Sequence, residues 1–107
     1  MKIELSEIIK FAKENAGPGY KNFNDELWRL LFVKNKTIIV VEDNRIKGFG
    51  VYTELPDYLV FVTIVIKKEC EQNWRGVFLM MKAMDQLPRK EICWFNKKRG
   101  RFVKCHR

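Results

Sequence analysis

The apolar residues of this chain recur at two spacings, which divide the chain into helices and strands. A repeat of three to four residues predicts three helices, and β-branched or nearly continuous apolar runs predict five strands. The predicted helices cover residues 6–14, 24 to about 34, and 73–87. The predicted strands cover residues 37–42, 46–54, 58–66, 91–95 and, weakly, 101–105. This order predicts one α+β domain, with a mixed, mostly antiparallel sheet flanked by helices.

The predicted helix ends rest on polar, glycine and proline residues. Ser6 is the expected N-cap of the first helix and Asn24 that of the second, since short polar side chains accept hydrogen bonds from free N–H groups. Residues 15–19, Asn-Ala-Gly-Pro-Gly, end the first helix, and Pro88 follows the third. Each helix is therefore bounded by residues that discourage its continuation.

Residues 37–54 predict a β-hairpin that turns at residues 43–45. Gly48 and Gly50 lie two residues apart on its second strand, so they share one face and remove side chains from it. Either a helix or a ligand could then approach the sheet closely. Of the two, close packing of a helix is the expected outcome.

The stretch from Tyr58 to Leu87 is the most apolar part of the chain. The strand at 58–66 is almost continuously apolar, which predicts that both of its faces are covered, at least in large part. Residues 67–72 predict a loop before the helix at 73–87. That helix leaves only Arg75, Lys82, Asp85 and Gln86 for water, so we expect burial on more than one side, either in the core or against a second subunit of a homodimer.

A strand, a helix and another strand form a crossover unit. Because a crossover brings its second strand back in the direction of the first, the strands at 58–66 and 91–95 are expected to lie parallel or nearly so.

Length and composition fit one cytoplasmic domain. The chain has 107 residues, no apolar run long enough to span a membrane, and a charged N-terminus without the apolar core of a signal peptide. Its three cysteines, Cys70, Cys93 and Cys105, lack the close pairing that zinc sites and disulfide frameworks show. We therefore expect free thiols, no metal site and no membrane partner.

The formal net charge is +8, with six lysine or arginine residues and no acid between 97 and 107. Such a segment suits nucleic acid or an acidic protein, although a solvated basic tail is an equal alternative. Trp94, Phe95 and Phe102 interleave with the cations and could stack on bases, but packing within strands is the commoner role of such aromatics. The expected contact residues are Lys97, Lys98, Arg99, Arg101 and Lys104.

The order of elements resembles the GNAT superfamily of N-acetyltransferases over roughly residues 1–96. Three local features carry the likeness. Residues 44–52 are similar to that family's hairpin, with an Ile-x-Gly-apolar-Gly strand; residues 58–66 are similar to its fourth strand; and residues 72–76, Gln-Asn-Trp-Arg-Gly, are similar to its pyrophosphate loop. The likeness is to a minimal or degenerate member, since Arg75 stands where the family has glycine and Phe78 where it has a second small residue.

This resemblance implies an acetyl-CoA-dependent N-acetyltransferase. The fourth strand of the family offers its backbone to the pantetheine arm, and the loop offers N–H groups to the pyrophosphate, where Arg75 could pair with phosphate directly. The implied cofactor-binding residues are Ile64, Val65, Ile66, Gln72, Asn73, Trp74, Arg75, Gly76, Val77 and Asn96.

The end of the chain departs from the family. Asn96 matches the Asn after its fifth strand, but the helix and tyrosine that often follow have no counterpart here. Glu42, Glu54 and Glu69 are possible bases without an assignable partner, and His106 lies at the mobile end of a chain. Neither a catalytic residue nor the acyl acceptor is assigned, and a non-catalytic basic interaction module is the alternative. The small size, many lysines and trimmed fold also fit a viral or mobile-element protein.

Overall fold

A computed structural model describes residues 2–71, 75–96 and 100–105, which form a five-stranded sheet with helices on both faces. The helices are α1 (Leu5–Asn15), α2 (Asp25–Lys34), α3 (Lys68–Glu71) and α4 (Arg75–Met84), with a short 3₁₀ helix at Pro18–Tyr20. The strands are β1 (Lys36–Glu42), β2 (Arg45–Glu54), β3 (Tyr58–Ile66), β4 (Glu91–Asn96) and β5 (Arg101–Cys105). The prediction of an α+β fold is confirmed.

The order of strands in the sheet follows the chain, from β1 at one edge to β5 at the other. Neighbouring strands are antiparallel except for β3 and β4, which are parallel. A parallel pair needs a crossover connection, and α3 with α4 supplies it. The crossover predicted from the sequence is therefore present, and the sheet is mixed and mostly antiparallel.

An aromatic cluster joins α1 and α2 to one face of the sheet. Trp28 of α2 is only 1% exposed, and its ring lies 5.1–6.2 Å, between centroids, from four other aromatic rings. These rings belong to Tyr20, Phe23, Phe32 and Phe49. Because Phe49 projects from β2, the cluster fixes the helices to the centre of the sheet.

The two glycines of β2 admit close contacts on the opposite face. A Cβ placed on Gly48 would lie 3.0 Å from the carbonyl oxygen of Val65 in β3 and 3.5 Å from the terminal methyl of Met80 in α4. A Cβ placed on Gly50 would lie 2.8 Å from the ring of Phe61, which occupies that space from β3. The prediction of close helix packing is confirmed at Gly48, whereas at Gly50 the space is taken by a neighbouring strand.

The N-cap prediction is right for α2 and wrong for α1. The side chain of Asn24 accepts a 2.9 Å hydrogen bond from the N–H of Leu27, as expected of a cap. Helix α1 begins one residue before Ser6, and its N-cap is Glu4, whose side chain makes no capping hydrogen bond. Ser6 therefore lies inside the first turn.

The helices of the crossover between β3 and β4 differ from the predicted ones in their bounds. Residues 68–71, expected to be a loop, are helical and form α3. Helix α4 ends at Met84, and the N–H groups of Gln86 and Leu87 bond three residues back, at 3.1 and 3.0 Å. The last turn therefore tightens before Pro88, which disfavours helical geometry in the residue preceding it.

Burial on the α4 face is less complete than the apolar pattern predicted. Met80 is buried, but Phe78 and Met81 of the same helix are exposed. Val62 and Ile64 of β3 are also exposed, so β3 is not covered on both faces along its whole length. Within the described residues, no helix has the length and apolarity to cross a membrane.

Candidate functional site

Strands β3 and β4 separate partway along their length. They pair from Tyr58 with Glu91 to Phe61 with Trp94. Beyond these pairs, β3 continues beside β2 as far as Ile66, while β4 continues beside β5 as far as Asn96. We call the opening between residues 62–66 of β3 and 95–96 of β4 the splay.

A β-bulge lies at the point where the splay begins. Val51 of β2 pairs with Thr63, but its neighbour Tyr52 pairs with Phe61, so Val62 is an extra residue on β3. An extra residue bends its strand and interrupts the regular ladder of hydrogen bonds. The bulge thus gives a local reason for β3 to turn away from β4.

The bulge is also tied to the connection between α1 and α2. Next to it, the buried Thr63 hydroxyl lies 2.8 Å from the hydroxyl of Tyr20, and either oxygen can donate the hydrogen bond. Buried hydroxyl groups need such partners, so this contact holds the inner side of β3 in place.

The splay leaves one edge of β3 open. Backbone N–H and C=O groups of a strand point alternately to its two edges, so part of those from 62 to 66 point towards the splay. In the described part of the chain, no strand pairs with this edge beyond Phe61. The same stretch of β3 carries the exposed apolar side chains of Val62 and Ile64. The surface therefore combines apolar contact with hydrogen-bonding groups, which suits an extended molecule with amides.

Helix α4 is the second helix of the crossover that follows β3, after α3. Arg75, Gly76 and Val77 form its first turn, which contains no acidic residue. The first N–H groups of a helix lack partners within it and carry partial positive charge, so they favour an anion. The sequence-predicted residues Gln72, Asn73 and Trp74 lie outside the described residues.

The structure brings together part of the sequence-predicted set. Ile64, Val65 and Ile66 form the end of β3, and Asn96 ends β4 on the other side of the splay, paired with Arg101. In the basic segment, Lys104 pairs with Cys93. The remaining basic residues predicted as contacts, Lys97, Lys98 and Arg99, lie outside the described residues, as does His106.

Glu54 is a structural carboxylate at the opposite end of the sheet. One of its oxygens accepts a 2.6 Å hydrogen bond from Lys36, and the other accepts a 2.7 Å bond from Lys90. These two bonds lower the pKa of Glu54 to about 2, which makes it a poor base near neutral pH. Lys90 also donates to the carbonyl of Leu55, so it ties the start of β4 to the β2–β3 turn.

The other two candidate bases receive no catalytic support from their positions. Glu69 lies 3.8 Å from Lys67 and is strongly exposed. Glu42 ends β1, where it pairs with Arg45 across the hairpin. The sequence named no partner for these acids; the structure supplies Lys36 and Lys90 for Glu54 and Lys67 for Glu69.

A cavity of about 630 Å³ surrounds Glu54 and was not foreseen from the sequence. Its lining comes from the end of α2, from the β2–β3 turn and from the residue before β4. We call it the Glu54 cavity; it is lined by Val33, Lys34, Asn35, Lys36, Tyr52, Thr53, Glu54, Leu55, Pro56 and Lys90. The hairpin brings Lys36 near Glu54, but only the crossover brings Lys90, which no local pattern indicates.

The paired state of Glu54 predicts a specific response to acid. Since the folded pKa lies below the ordinary value of 4.5, this carboxylate stabilises the fold above that pH, and the contribution is lost as pH falls towards 2. We expect the melting temperature to fall less steeply between pH 4.5 and 2 in Glu54→Gln than in the wild type. Glu69→Gln is the matched control and should follow the wild-type curve; equal slopes for all three proteins would contradict the assignment.

Metal chemistry and homology add no further constraint. Among the described residues, no group of three His, Cys, Asp or Glu side chains is placed to hold a metal ion, and Cys93 is a buried free thiol. A comparison of the chain with protein-family models finds no match, and a comparison with curated proteins finds no significant match.

Proposed function

We propose that this protein is an acetyl-CoA-binding N-acetyltransferase of the GNAT kind. The observation that carries the proposal is the splay. Two parallel strands part at a bulge, one of them presents an open edge, and the crossover helices α3 and α4 follow that strand in the chain. The order of elements, which resembles that of the GNAT superfamily in a trimmed form, supports the same reading.

The residues around the splay have the chemistry that acetyl-CoA requires. Its pantetheine arm is extended, carries amides and needs both backbone partners and apolar contact, which residues Ile64 to Ile66 offer. The pyrophosphate suits the start of α4, where residues 72–77 are the predicted site and no acid stands in the first turn. Asn96 ends β4 on the other side of the splay. When bound, acetyl-CoA supplies an acetyl thioester for transfer.

The chain contributes placement and polarity to such a transfer. A backbone N–H group on the open edge of β3, near the bulge, is the natural donor to a developing oxyanion. The proton released by the amine does not go to Glu54. The low pKa of Glu54 makes it a poor base, and its place at the far end of the sheet keeps it away from the splay. The net charge of +8 favours an acidic acceptor.

Titration with acetyl-CoA tests the proposal. A ligand that binds only the native state raises stability by mass action, so the melting temperature should rise in a saturable manner. Ile64→Glu should lose most of this rise, because it places a charge on the apolar edge of the splay. Val41→Glu is a matched control in β1: Val41 is 39% exposed and Ile64 is 42% exposed. No shift at millimolar acetyl-CoA would overturn the proposal, as would equal shifts in the wild type and both variants.

A non-catalytic basic interaction module is the second candidate. Its specific support is the basic segment, of which β5 forms part and pairs with β4 at the edge of the sheet. Single-stranded DNA is the discriminating probe, because binding through phosphates weakens as salt is added. Salt-sensitive DNA binding without any response to acetyl-CoA would favour this candidate.

A further inference from the structure

Helix α2 carries a second apolar stripe on the side that faces away from the core. Trp28 and Phe32 point into the core, whereas Leu27, Leu30 and Val33 are all exposed. Their spacing of three residues places them along one face of the helix. The exposure of Leu27 extends the stripe to the first turn of the helix.

The stripe continues into the Glu54 cavity. Val33 lines the cavity at the end of α2, and Leu55 and Pro56 line it from the β2–β3 turn. Leu55 is itself exposed. The apolar surface therefore runs along α2 and ends in a concave site large enough for a side chain.

The cavity is positively charged. Its lining includes Lys34, Lys36 and Lys90 but only one acid, Glu54. The two carboxylate oxygens of Glu54 are already occupied by Lys36 and Lys90. One carboxylate cannot neutralise three ammonium groups, so positive charge remains for a partner to meet.

We propose that α2 and the Glu54 cavity together bind an acidic amphipathic helix of a partner protein. The apolar face of such a helix would cover Leu27, Leu30 and Val33, and its carboxylates would meet the lysines of the cavity. A second copy of this chain fits less well, since a two-fold contact pairs the same patch with itself and the cavity lining has three lysines and one acid. Nucleic acid would leave the stripe uncovered. This inference does not depend on the proposed acetyl-CoA site.

A designed peptide tests the proposal directly. The probe is a fluorescent helical peptide with leucine at i, i+3, i+4 and i+7 and glutamate elsewhere, and its control carries lysine in place of glutamate. We expect the full chain to bind the acidic peptide saturably, as measured by fluorescence anisotropy, and not the basic one. The double variant Leu30→Ser with Val33→Ser should weaken binding by about tenfold or more, because central apolar anchors dominate such interfaces.

The matched control is the double variant Phe78→Ser with Met81→Ser. The side chains of Phe78 and Met81 are 69% and 58% exposed, and those of Leu30 and Val33 are 53% and 66% exposed. Each double variant therefore removes two exposed apolar side chains and leaves the core unchanged. Binding should be unchanged in this control. Equal weakening in both double variants, or no weakening in the α2 variant, would overturn the proposal.

Two further outcomes would replace the acidic helix by another occupant. A dimer of the wild type in analytical ultracentrifugation that becomes monomeric only in the α2 variant would show that a second copy covers the stripe. A nucleic-acid site would be shown if single-stranded DNA displaced the peptide and if the binding of that DNA were also lost in the α2 variant. In the expected result, the chain without peptide sediments identically with and without the α2 substitutions.

Discussion

Replacing Arg75 with glutamate is expected to abolish acetyl-CoA binding while leaving the fold intact. The substitution puts a carboxylate at the first residue of α4, where the proposal places the pyrophosphate and where the wild-type first turn has no acid. Two like charges at close range, together with the loss of a cation, should weaken the affinity on the order of a hundredfold or more. The affinity is measured by calorimetry or by the acetyl-CoA-dependent rise in melting temperature.

The stability of the free variant should not fall. A carboxylate in the first turn of a helix interacts favourably with the helix dipole, so unfolding of Arg75→Glu without ligand should occur at the wild-type temperature or slightly above it. Arg75→Glu is thus expected to lose its affinity for acetyl-CoA while its stability stays at the wild-type level. A large loss of stability would mean that Arg75 has a structural role in place of a binding role.

Arg29→Glu is the matched control for overall charge. Arg29 is an exposed residue of α2, which packs on the opposite face of the sheet from α4, and the substitution lowers the net charge by the same amount. It should leave acetyl-CoA binding nearly unchanged. If both variants lost affinity equally, general attraction between a basic protein and an anion would explain binding without a site at α4.

Trp28→Ala should cost about 3–5 kcal/mol of the free energy of unfolding, the usual range for removing a large buried aromatic side chain. The ring is almost fully buried and contacts the aromatic rings of Tyr20, Phe23, Phe32 and Phe49. Domains of this size are stable by about 5–15 kcal/mol, so the substitution should remove a large share of the total stability. Urea denaturation followed by circular dichroism measures the loss.

Two other substitutions serve as comparisons for the stability loss of Trp28→Ala. Trp28→Phe retains a ring in the cluster and should cost less than Trp28→Ala. Leu30→Ala, on the exposed side of the same helix, should change stability by no more than about 0.5 kcal/mol. A cost below about 1 kcal/mol for Trp28→Ala would contradict the placement of this ring at the centre of the α1–α2 layer.

The two proposed surfaces lie at opposite ends of the sheet. The splay opens where β3 leaves β4, whereas the Glu54 cavity lies where β3 and β4 begin. A partner bound at α2 would therefore leave the open edge of β3 accessible. Loss of peptide binding in the α2 variant and loss of acetyl-CoA binding in Arg75→Glu are expected to be independent of each other.

Local sequence patterns determined the elements of this protein and most of their order. Residues 58–66 form the predicted strand with the predicted bounds, and Asn24 caps α2, because β-branched runs and short polar caps act within a few residues of the chain. The parallel pairing of β3 with β4 also followed from the sequence, since a strand, a helix and a strand leave few other arrangements.

Only the tertiary structure decided where these elements leave surfaces open. The bulge at Val62 depends on the register between two strands, and no spacing along one strand reveals it. The same limit applies to Lys90, which reaches Glu54 only because the crossover returns beside the β2–β3 turn. Phe78 is exposed although the apolar pattern of its helix predicts burial, because α4 packs against only one side of the sheet. The sequence by itself determined most of the helices and strands, because those patterns act within a few residues; the packing of the elements decided which apolar residues remain for partners.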